Sequence, residues 1–92
     1  MVLKTMLLER AAKEVIELLK EKNRLYGDAF RLTGKFGIAI RILDKAMRQW
    51  NLVKQGLNTR DEWLDIAGYC LLGLMLLYEE EGENGRGAHR NL

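Results

Sequence analysis

Glu62, Asp65 and Tyr69 are spaced three and four residues apart, so on a helix they share one line, which continues through Leu72, Gly73 and Leu76 toward buried surface. Two carboxylates at the edge of a core can hold a hard cation such as Mg²⁺ or accept hydrogen bonds from a ligand. Each residue also has an ordinary role: Thr59 and Glu62 have the spacing of a capping box, both acids suit the positive end of a helix, and Tyr69 suits a core. A second group, Arg41, Lys45 and Arg48, stacks cations along one face, with Asp44 beside them and Ile38, Ile42 and Ala46 at its borders. Such a strip can clamp phosphates, and its apolar borders set it apart from a plain solvated face. Lys22 and Tyr26 continue the apolar stripe of the first helix, where the lysine either snorkels to water or reaches into the same groove as the cations. Glu14 and Glu17 project among Lys13, Lys20 and Glu21 and read as surface pairs. His89 and Cys70 have no partners for nucleophilic catalysis, and no phosphate loop or zinc pattern is present.

The elements that must position these groups are three helices. Leu8, Ala11, Ala12, Val15, Leu18 and Leu19 recur at helical spacing in a first helix over about 2–25. Gly27 stops it, and residues 26–36 form a connection with room for one helical turn. A second helix, about 35–50, carries Phe36, Ile40, Leu43, Met47 and Trp50 on one stripe, which is its expected core face. A third starts at the Thr59 cap and runs to about 81. It is apolar all round from Ile66 to Leu77, which two partner helices cannot cover, so the sequence predicts a homo-oligomer completing the bundle. Residues 1–81 thus form one domain and residues 82–92 a tail without periodicity, expected to be disordered.

The 92 residues, 48% of them hydrophobic and none proline, limit the chain to one all-α domain with one modest core. A net charge of +2 from 15 basic and 13 acidic side chains lacks the excess of a general nucleic-acid binder. No run reaches the roughly 20 apolar residues of a membrane span. The single Cys70, read as a small buried hydrophobe, fits a reducing cytoplasm.

Three segments, Lys22-Asn23-Arg24-Leu25-Tyr26-Gly27-Asp28, Asp44-Lys45-Ala46-Met47-Arg48 and Asp61-Glu62-Trp63-Leu64-Asp65-Ile66-Ala67-Gly68-Tyr69, together resemble the MazG-like superfamily of phage and bacterial proteins. These are all-α nucleoside triphosphate pyrophosphatases and nucleotide-modification-associated relatives. The resemblance covers most of residues 15–80. It implies a cytoplasmic dimer or tetramer of helical bundles, phage-encoded or bacterial, with a nucleotide ligand and Mg²⁺ that is resident or arrives with the nucleotide. It assigns Glu62 and Asp65 to metal and water. Lys22, Tyr26, Asp28, Arg41, Lys45, Arg48 and Tyr69 then serve the nucleotide, the tyrosines by stacking on the base. The family's first acidic pair is replaced here by Lys45 and Arg48, which shifts the expectation from catalysis toward binding. Two outcomes stay open: a pyrophosphatase with a degenerate first motif, and a non-catalytic sequestering or structural oligomer.

Overall fold

The structure, a computed structural model, describes residues 3–83. Helix α1 spans Thr5–Tyr26, a short 3-10 helix spans Ala29–Leu32, α2 spans Gly34–Lys54 and α3 spans Arg60–Glu83. The all-α expectation holds, and among the described residues there is no strand. The last residues of α3 were expected in the tail, but Gly82 and Glu83 continue the helix. The rest of that tail lies outside the described residues. Gly27 ends α1 with φ +64, a conformation that L side chains adopt at a cost, and its N–H donates to the Asn23 carbonyl.

Ion pairs between the helices define the topology. Glu14 and Lys22 of α1, then Arg31 of the 3-10 helix that follows, meet Arg60, Asp65 and Glu79 in ascending order, so α1 and α3 run parallel. Lys35 meets Glu80 while Lys45 meets Asp65, so α2 runs antiparallel to α3. The third helix is the common support. It packs along most of α2 and less extensively on α1, while α1 and α2 barely touch. Gly68 is buried in the α1–α3 crossing, where an added Cβ would sit 3.2 Å from Leu19 Cδ2, so the absence of a side chain sets that approach.

Because two helices lean on one without closing on each other, the core is thin. Val15 and Ile38 are its buried apolar residues. This corrects the expected core face of the second helix. Phe36, Ile40, Leu43, Met47 and Trp50 are 58–74% exposed, and the face turned to α3 carries Ile38, Ile42, Lys45, Gln49 and Leu52 instead. The physical reason is hairpin register: the short link 55–59 brings Lys45 opposite Asp65, and their pairing fixes which side of α2 turns inward. Three further expectations are corrected. Leu8, Ala11 and Ala12 are exposed on the half of α1 that leads away from α3, Cys70 is exposed rather than buried, and the Thr59–Glu62 box does not form. Asn58 Oδ1 accepts from the Arg60 N–H at 2.9 Å, while Glu62 turns toward the cations of α2.

Candidate functional site

Glu62 and Asp65 sit one turn apart near the start of α3, facing the middle of α2. Lys45 reaches between them. Its Nζ donates to Asp65 Oδ2 at 2.9 Å and stands 3.8 Å from Glu62 Oε2. From α1, Lys22 Nζ approaches Asp65 Oδ1 at 3.4 Å, and Arg48 flanks Glu62 Oε1 at 3.9 Å. Lys45, Glu62 and Asp65 keep only 15%, 16% and 17% of their side-chain surface in water, whereas Lys22 and Arg48 are about half exposed. The arrangement is a buried ion cluster with two mobile-length cations at its rim.

Its electrostatics follow from that burial. Hydrogen bonding to Asp65 holds the Lys45 ammonium above its usual 10.5, against the cost of desolvation and with help from both nearby carboxylates. Burial by itself would push the Asp65 carboxyl up, but the hydrogen bonds and charges of Lys45 and Lys22 outweigh it and hold the group below 3.8. Both groups are therefore charged at neutral pH. Three cations surround two carboxylates, so the cluster has a surplus positive charge of one.

Mg²⁺ does not fit this donor set as it stands. Both Asp65 oxygens face ammonium groups, and a cation would have to displace the largely buried Lys45 as well as Lys22. Among the described residues no three His, Cys, Asp or Glu side chains converge on one point.

Beside the cluster lies a cleft of about 150 Å³ between the end of α1, the turn that follows and α3. Lys22, Tyr26, Phe30, Asp65 and Tyr69 are among its walls. Ligand pockets usually exceed about 300 Å³, so this cleft has room for one part of a larger ligand, the remainder lying over the open rim. Of the residues singled out from the sequence, Lys22, Lys45, Arg48, Glu62 and Asp65 come together, and Tyr26 and Tyr69 join them through the cleft. Asp28 instead pairs with Arg31 at 3.4 Å and borders a neighbouring apolar groove. Arg41 is exposed and makes no ion pair among the described residues, so the three-cation strip does not act as one unit.

Sequence reasoning missed two residues. Phe30 faces the cleft from the 3-10 helix, which a lone aromatic in a connection hardly signals. Gln49 is buried one turn beyond Lys45 with both amide atoms lacking partners, as is Glu62 Oε2. Its place on the line Ile38, Ile42, Lys45 was the available signal. Comparison of the chain with protein-family models, with curated proteins and with solved structures finds no match.

Proposed function

We propose that the protein binds a nucleotide, with the phosphates at the Lys22 and Arg48 rim above the buried Lys45 and the base among Tyr26, Phe30 and Tyr69. The observation that carries this reading is the junction of an aromatic cleft with a buried charge cluster of net positive sign through shared Lys22 and Asp65. Phosphate oxygens accept charge-assisted hydrogen bonds from Lys22 and Arg48, whose own acid contacts are long. An aromatic cleft suits the flat face of a base. The motif resemblance to MazG-like proteins points to the same ligand class, and self-association in a helical bundle belongs to the same reading. Because Asp65 is engaged by lysines, binding is favoured over hydrolysis. Any Mg²⁺ would arrive with the nucleotide.

A structural reading has its own observation. The 2.9 Å Lys45–Asp65 bond joins α2 to α3 with no ligand present. Lys22 separates the two readings better than Lys45, since its removal leaves the Lys45 bond in place. A thermal-shift panel of mono-, di-, tri- and cyclic nucleotides, with and without Mg²⁺, should raise the melting point by on the order of 10 °C for a ligand at about 100 times its Kd. Lys22→Gln should abolish that shift while leaving the ligand-free melting point within about 2 °C. A flat panel in the wild type would leave only the structural reading.

A further inference from the structure

The outer side of α2 poses a problem that the nucleotide reading does not address. Phe36, Ile40, Leu43, Met47 and Trp50 recur at spacings of four, three, four and three, the repeat of a helix that packs lengthwise against another helix. They lie opposite the Ile38, Lys45 and Gln49 face already occupied by α3, and they are 58–74% exposed. Ala39 and Ala46 border them and are also exposed, so a second backbone has room to come close. A helix with apolar residues on two opposite faces belongs between two layers, and the protomer supplies one.

We propose that this stripe is a homodimer seam in which α2 packs antiparallel on α2 of a second copy, about a twofold axis beside Leu43. This rests on the self-association included in the reading above and not on its nucleotide. A twofold interface must be self-complementary, and this stripe is nearly symmetric about its centre. With Leu43 against the partner's Leu43, Ile40 meets the partner's Met47 and Phe36 meets the partner's Trp50. The area also suffices. At roughly 100 Å² for each large side chain, the stripe with Val53 and the alanines comes to about 600–700 Å², inside the roughly 600–1,000 Å² per partner of a standard interface.

Sedimentation equilibrium of the full chain at micromolar concentration should show a dimer. The double variant Leu43→Glu, Met47→Glu should raise the dissociation constant at least 100-fold while circular dichroism retains its helical signal, because both positions are already in water within the protomer. Cross-linking fixes direction. With Cys70→Ala as background, a mixture of Phe36→Cys and Trp50→Cys chains should oxidise to the mixed disulfide. A monomeric wild type, a dimer unaffected by the two glutamates, or like-with-like disulfides in that mixture would each overturn the proposal. None of these outcomes depends on nucleotide, and a flat nucleotide panel beside a dissociated Leu43→Glu, Met47→Glu variant would refute the ligand while keeping the seam.

Discussion

The two faces of α2 invert the usual arrangement. Toward α3 the helix presents Lys45 and an unpartnered Gln49 among Ile38, Ile42 and Leu52, while toward water it presents Phe36, Ile40, Leu43, Met47 and Trp50. Burying the outer stripe would release more apolar surface than burying the inner one. The inner face wins within the protomer because Lys45 is compensated there by Asp65 and Glu62, and because the hairpin to α3 offers that contact at short range. The difference shows that a charged face can be an inner face where its counter-charges are built into the neighbouring helix. It also shows that an apolar stripe records a need for a partner without naming one.

The contrast can be broken at several points. Lys45→Ala should have the largest effect, about 3 kcal/mol of lost stability in urea unfolding, since it removes the buried cation from two mostly buried carboxylates and leaves them only the half-exposed Lys22 and Arg48. Ile38→Ala should cost about 2 kcal/mol, the lower part of the range for core aliphatics because the surrounding core is thin. Ile40→Ala, measured at dilutions where the chain is monomeric, should cost under about 0.5 kcal/mol. Equal losses at positions 38 and 40 under those conditions would show that the two faces do not differ as described. Gln49→Leu should gain about 1 kcal/mol by replacing a buried amide that lacks partners with a side chain that needs none. A loss there would reveal a hydrogen bond made by that amide in solution.

Smallest is the pH response. Asp65 has a lowered folded value, so its contribution is present above 3.8 and is lost as pH falls through the lower folded value. Lys45 has a raised one, so its contribution is present below 10.5 and is lost as pH rises through the higher folded value. Stability should be nearly level from about pH 5 to 9, and Asp65→Asn should shrink the part of the acid loss that this carboxyl supplies. An unchanged acid limb in Asp65→Asn would place that loss on other carboxylates.

Much of the architecture was legible in residue order. Helical periodicity, the absence of proline and the stop at Gly27 are local properties of the backbone, so the number, class and approximate bounds of the helices could be read directly. The alignment of Glu62, Asp65 and Tyr69 is equally local, a consequence of 100° per residue. What only the tertiary structure decided was which face of each helix is inside. Periodicity identifies a stripe but not its partner, and in a three-helix chain where α1 and α2 barely touch, the outer apolar stripe of α2 is left uncovered. The convergence of Lys22, Lys45 and Arg48 on the two acids is likewise a long-range result. It depends on the parallel course of α1 and the antiparallel course of α2 along α3, and on the register at which Lys45 meets Asp65. Those are set by turn lengths and by the pairing energy of buried opposite charges, quantities that belong to the assembled protein and to no single segment of it.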